Sequence, residues 1–231
     1  MKAHAKRMRR ASRVQRQSYI ILGAIALGVV AVVIAIAALS RGGSNVSAEI
    51  VVPTPRPAGV AQSGHTYGDP NAPVTIDEYV DFQCPFCEQA VVNVMPVIDQ
   101  QFVENGTVKI VAHPIAILGD ESVQAAAAAE AANEQGKFWA FFDALYANQG
   151  AENSGAFSNE RLVKIAEALG LDMSAFHAVF DNGVYTQQVI DTTQGARSAG
   201  VSSTPTILVN GVKVNASVDA ISAAIEAAAG S

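Results

Sequence analysis

VTIDEYVDFQCPFCEQAVVNVMPVIDQQF, residues 74–102, holds both cysteines of a 231-residue chain, and they stand three apart as Cys84-Pro85-Phe86-Cys87. With no further thiol there is no framework of structural disulfides, so the pair needs a chemical explanation. Val74 to Phe82 reads as a strand whose apolar positions are dense enough for burial on both faces. The stretch from Cys87 to Phe102 reads as a helix. A C-x-x-C at such a junction puts its first thiol at a helix N-terminus, where unpaired N–H groups and the helix dipole favour a thiolate. That arrangement suits thiol–disulfide exchange.

Working outward, the N-terminus predicts the compartment. Seven basic residues and no acidic one precede Tyr19, so residues 1–18 form a basic tip. Tyr19 to Leu39 carries no charge over 21 residues, enough to cross roughly 30 Å of hydrocarbon at about 1.5 Å per residue. The expectation is a transmembrane helix over 19–39, with the tip cytoplasmic and the remainder extracytoplasmic. A cleaved signal peptide ending near Ala35-Ile36-Ala37 is the competing reading, although its apolar region is usually only about 7–15 residues long. Both readings export the cysteines.

Residues 40–65 are rich in Gly, Ser and Pro and predict a flexible linker, stiffened around the PTPRP run. Residues 66–231 suffice for one domain with a full core. From Val60 onward 20 acidic side chains face 6 basic ones. Such a balance argues against nucleic acid as a partner and suits an exported, soluble domain.

Within that domain Thr107 to His113 predicts a second strand, stopped by Pro114. Helical patterns follow over 121–148, interrupted at 133–135, then over 158–169, 173–180 and 184–199. Trp139, Phe138, Phe141 and Phe142 have core spacing, with a substrate groove as the alternative. Asn210-Gly211 between TILV and VKV predicts a hairpin, and Ser217 caps a last helix. The order β-α-β, helices, β-β-α argues for an α/β domain with a mixed sheet and a helical insertion over about 117–200.

GDPNAPVTIDEYVDFQCPFCEQ, KFWAFFDALYANQ and GVSSTPTILVNG together resemble the DsbA-like thiol–disulfide oxidoreductases of the thioredoxin fold, in their membrane-anchored bacterial branch. The likeness runs from about Tyr67 to the C-terminus. It implies that Cys84 is the nucleophile and Cys87 the resolving thiol. It also implies a cis Thr204–Pro205 bond facing them, with the Thr204 hydroxyl beside the site. Glu78, six residues before Cys84, would be the buried acid that relays the proton of Cys87; an exposed strand residue is the alternative reading. Phe86 departs from the His found between the cysteines of the best-known relative, which removes a partner for the thiolate.

The resemblance further implies exchange of the Cys84–Cys87 disulfide with thiols of exported polypeptides, as an oxidase, together with a membrane redox partner and no cofactor. A reductase or isomerase kept as the dithiol is the alternative within enzymes. A zinc or copper metallochaperone is the alternative outside them. Zinc wants four ligands, and His65, His113 and His177 show no ligand spacing. His113, before Pro114, reads as a strand-end residue rather than a base, and Glu88 as solvated surface.

Overall fold

The computed structural model describes residues 49–230; the basic tip and the expected membrane span lie outside them. Among the described residues no helix is long and apolar enough to cross a membrane. Six strands make one sheet: β1 (Gln62–Ser63), β2 (Thr66–Tyr67), β3 (Val74–Val80), β4 (Val108–Pro114), β5 (Thr206–Val209) and β6 (Val212–Val214). Their spatial order is β1-β2-β4-β3-β5-β6. The β3–β4 pair is parallel and the other pairings are antiparallel, so the sheet is mixed as expected.

A parallel pair needs a long crossover. Here it comprises α1 (Pro85–Gln89) and α2 (Met95–Ile98), each continued by a wider π-helical stretch, Ala90–Val94 and Asp99–Val103. Pro96 accounts for the first widening: it has no N–H to give residue 92, and its ring crowds that carbonyl.

Both long strands alternate. Val74, Ile76, Glu78 and Val80 are buried while Thr75, Asp77 and Tyr79 are half-buried, and β4 repeats the pattern. Burial on both faces, expected from the apolar density of residues 74–82, is therefore corrected. Thr75 and Asp77 occupy the second face, and only its end, at Tyr79, meets a small cluster of Ile115, Ala196 and Val201.

Between β4 and β5 lie α3 (Asp120–Asn133), α4 (Phe138–Ala147), α5 (Asn159–Ala168), α6 (Met173–Phe180) and α7 (Thr186–Ser198); α8 (Val218–Ala229) closes the chain. Ala125 to Ala129, Ala131 and Ala132 are all buried, because short side chains let neighbouring helices approach α3 on every side. Phe138, Trp139, Phe141 and Phe142 are at most 2% exposed, which makes them core and leaves no groove among them. Phe82 meets Phe142 edge-on at 5.4 Å, tying the loop after β3 to the insertion.

The described part of the expected linker is docked. Val51 donates its N–H to Asn148 Oδ1 at 2.9 Å, and its carbonyl accepts from Asn148 Nδ2 at 2.7 Å. Arg56 donates to both Asp143 oxygens at 2.8 and 2.7 Å and lies 3.6 Å from Asp99. Its guanidinium covers the rings of Tyr67 and Trp139 at 4.6 and 4.3 Å, a stack that an Arg makes and a Lys would not. Pro53, Pro55 and Pro57 restrict the segment beforehand, so less freedom is lost on docking.

At the hairpin, Asn210 (φ 45°) and Gly211 (φ 81°) form the left-handed pair of a type I′ turn. Asn210 also pairs with Thr75, its N–H to the Thr75 carbonyl and its Oδ1 to the Thr75 N–H, both at 2.8 Å. Gly119, before α3, has φ 122°, and a Cβ there would sit 2.6 Å from Asn153 Oδ1. Gly119→Ala is therefore expected to cost about 2–3 kcal/mol in urea unfolding. Gly136→Ala, also at positive φ (66°) but facing open space, should cost about 1 kcal/mol.

Candidate active site

The cysteines sit where β3 hands over to α1, and the four-residue turn between these elements is held by the carboxylate of its first residue. Asp81 is fully buried. Its Oδ1 accepts from the Gln83 N–H at 2.9 Å and the Ser122 hydroxyl at 2.7 Å. Its Oδ2 accepts from the N–H groups of Ile117 at 2.8 Å and Leu118 at 3.1 Å. Gln83 extends the network: its Nε2 donates to Ser122 Oγ at 2.9 Å, and its Oε1 accepts from the Asn153 N–H at 2.6 Å. The turn closes with the Cys84 N–H on the Asp81 carbonyl at 3.0 Å.

Cys84 is the N-cap of α1 and Pro85 its first residue, where a missing N–H costs nothing. The Cys84 carbonyl accepts from the N–H groups of Cys87 and Glu88 at 3.0 and 3.1 Å. Both thiols are free. Cys84 is 5% exposed and Cys87 fully buried, so the first thiol is more covered than a helix-start position alone suggests. The cover is Thr204, whose carbonyl accepts from Cys84 Sγ at 3.4 Å.

Burial and hydrogen bonding drive the two thiols apart. The Cys84 pKa is lowered to about 6, chiefly by the hydrogen bond from the Cys87 thiol. Burial opposes this, and Thr204 and the N–H groups of Cys87 and Phe86 add to it. For Cys87, burial first and the bond to Cys84 second push the thiol far above its ordinary range.

Thr204–Pro205 is a cis peptide bond. Pro205 lines a surface groove of about 460 Å³ with Phe86, Gln89, Ala90, Asn93 and Ala216. Phe86 is 66% exposed; it points into solvent at the groove rather than toward the thiol that a His in its place would assist. Glu78 is 2% exposed, so the exposed-residue alternative is set aside. Burial pushes its carboxyl up to about 7, partly offset by Arg56, and its Oε1 finds no hydrogen-bond partner among the described residues.

Thus Cys84, Cys87, Thr204 and Pro205 converge, while Glu78 is buried on β3. Asp81, Gln83 and Arg56 were not singled out by sequence reasoning, since partners 30 to 90 residues away leave no local pattern. His113 bonds Asp77 at 2.8 Å and stacks on Tyr79 at 4.5 Å. His65 pairs with Glu130 and His177 with Asp181. Among the described residues no group of three or more His, Cys, Asp or Glu is placed to hold a metal ion.

The thioredoxin family model matches residues 61–227. A Na(+)/H(+) antiporter NhaA 1 of Salinispora arenicola is 34% identical over 168 residues, 71% of this chain and 24% of the antiporter. The chain thus spans about a quarter of the length of the antiporters it matches first. A probable disulfide bond formation protein D of Bacillus cereus is 28% identical over 163 residues, 69% of this chain and 76% of that protein. Among solved structures, oxidised BdbD from Bacillus subtilis superposes with a TM-score of 0.67 at 25% identity, covering 79% of this chain and 100% of BdbD. Oxidised Mtb DsbA gives 0.60 at 26% identity, with 75% and 93% covered. With a strand, a C-x-x-C turn and a helix on a mixed sheet carrying a helical insertion, the chain belongs to the thioredoxin family, among its DsbA-like thiol–disulfide oxidoreductases.

Proposed function

We propose that this chain is an extracytoplasmic oxidase that passes the Cys84–Cys87 disulfide to pairs of thiols in exported polypeptides. The observation that carries this reading is the divergence of the two thiols, with the Cys84 pKa near 6 and that of Cys87 far above it. A substrate thiolate attacks Cys84 Sγ, the Cys84–Cys87 bond breaks, and Cys87 leaves and takes up a proton. A second substrate thiolate then attacks the substrate sulfur of the mixed disulfide and expels Cys84 as a thiolate. Two electrons have passed from substrate to enzyme. Of the two substrate protons, one rests on Cys87 and one has gone to solvent. A leaving thiol of low pKa leaves faster, and a stabilised dithiol makes its disulfide the stronger oxidant, which supports the oxidising direction.

Glu78 is proposed to supply and accept the Cys87 proton, since a carboxyl near pH 7 is poised for it. Thr204 is proposed to steady both sulfurs, and Pro205 with Phe86 to form the edge along which an extended substrate lies. The basic tip and uncharged 21-residue span support a single-pass anchor with this domain outside, near a membrane partner that restores the disulfide. The enzyme should oxidise reduced ribonuclease faster than it reduces insulin; the reverse ranking sinks the oxidase reading.

Alkylation of the reduced protein should rise through a midpoint near pH 6 and level off, with adduct on Cys84 and almost none on Cys87. Cys87→Ser should accumulate mixed disulfides with substrate, and peptide mapping that found them at residue 87 in a Cys84→Ser protein would reverse the roles.

Glu78 yields a stability prediction. Its carboxyl is raised in the folded state, so the native protein holds a proton that the unfolded chain has lost. Stability is fully present below about pH 4.5 and falls as pH rises to about 7. Glu78→Gln should remove that fall and leave the variant about 1–3 kcal/mol more stable than the parent at pH 8, by denaturant unfolding. Its exchange rate should lose the dependence on pH near 7.

A further inference from the structure

Gln149 follows α4, at the end of the helical insertion's aromatic helix. Its Nε2 donates to the Phe82 carbonyl at 2.7 Å and to the Cys84 carbonyl at 3.2 Å. The carboxamide nitrogen carries two N–H groups, one for each of these oxygens. The Cys84 carbonyl is already bonded by the N–H groups of Cys87 and Glu88, so Gln149 is its third donor. The peptide from Cys84 to Pro85 has no N–H, because residue 85 is a proline, and that oxygen is its single polar handle. Whatever holds the oxygen therefore orients the first turn of α1 beneath the Cys84 sulfur. Gln149 is itself placed, with its N–H on the Tyr146 carbonyl at 3.3 Å. Tyr146 in turn packs on Phe82 and Phe142 at 5.5 and 5.2 Å.

We propose that Gln149 is a positioning residue for the reacting thiol, through which the helical insertion helps to set the thiolate population of Cys84. Two effects act in one direction. The bond to the Cys84 carbonyl keeps the N–H groups of Phe86 and Cys87 aimed at the sulfur. The carboxamide also turns its positive edge toward the loop. Both stabilise a negative charge on Cys84. The inference rests on Cys84 as the attacking thiol and goes beyond it by assigning a residue some 65 positions away that never touches the sulfur.

The test is a titration of thiolate ultraviolet absorbance in reduced full-length protein, which needs no substrate. Gln149→Ala should raise the Cys84 midpoint by about 0.5–1 in pH, the range expected for a helix-terminus interaction. Gln149→Glu should raise it further, because an ionised carboxylate cannot donate and adds like charge. Gln149→Met keeps the side-chain length and replaces the Ala variant if that one unfolds. Gln135→Ala is the control. Gln135 also bonds backbone, donating to the Asp172 carbonyl at 3.1 Å and accepting from its N–H at 2.8 Å, but inside the insertion; its loss should leave the midpoint unchanged. A folded Gln149 variant with the parent midpoint, an equal rise in Gln135→Ala, or failure of every Gln149 variant to fold would each overturn the proposal. Failure of the parent to oxidise any substrate, with the midpoint still shifting, would sink the proposed function and leave the role of Gln149 standing.

Discussion

Four donors converge on the Asp81 carboxylate, and the geometry of the cysteine pair depends on them. A carboxylate withdrawn from water is costly unless every lone pair facing the protein finds a hydrogen. Asp81 meets that condition by drawing on three separate stretches: its own turn, the segment after β4, and the first turn of α3. The loop that presents Cys84 cannot shift without breaking bonds to both the sheet layer and the insertion. This constraint, more than any property of the cysteines, makes the strand-to-helix junction a rigid mount for a thiol.

Below that mount the electrostatics follow a different logic. Glu78, Asp99 and Asp143 are drawn toward one guanidinium, that of Arg56. One cation faces one buried and two half-buried carboxyl groups, and burial raises both Glu78 and Asp99 to about 7. Two environments result: the Cys87 thiol, Thr204 and helix-start N–H groups favour negative charge on Cys84, whereas burial favours the protonated forms of Glu78 and Asp99.

Much of this was legible in the sequence because it is local. The C-x-x-C at a strand end, Pro85 at a helix start, Asn210-Gly211 and the helical spacing of Phe138 to Phe142 each declare themselves within a few residues. Reading β3 as buried on both faces rested on the density of its apolar residues, but Val74, Ile76 and Val80 share one face with Glu78. Here the second face is largely left to Thr75 and Asp77. The two-residue strands β1 and β2 are too short to show any period. Asp81 was unreadable for another reason: as one acid among several it acquires its meaning from Ile117, Leu118 and Ser122, which only the fold brings near. Gln149 stood inside a motif that signalled the family, but nothing in that motif distinguishes a capping glutamine from a solvated one.

The docking of Arg56 bears on where this domain begins. Family similarity starts at residue 61, five residues after the arginine, and composition alone places the linker's end at 65. Physical closure lies earlier, at about Val51, where the backbone first pairs with Asn148. A soluble fragment cut at the homology boundary would keep every strand and both cysteines, yet would bare the faces of Tyr67 and Trp139 and leave Asp99 and Asp143 opposed with no cation between them. For this chain the smallest unit that can be expressed as a faithful copy of the native domain is set by a buried side chain in a proline-rich segment, and similarity to relatives marks it too short.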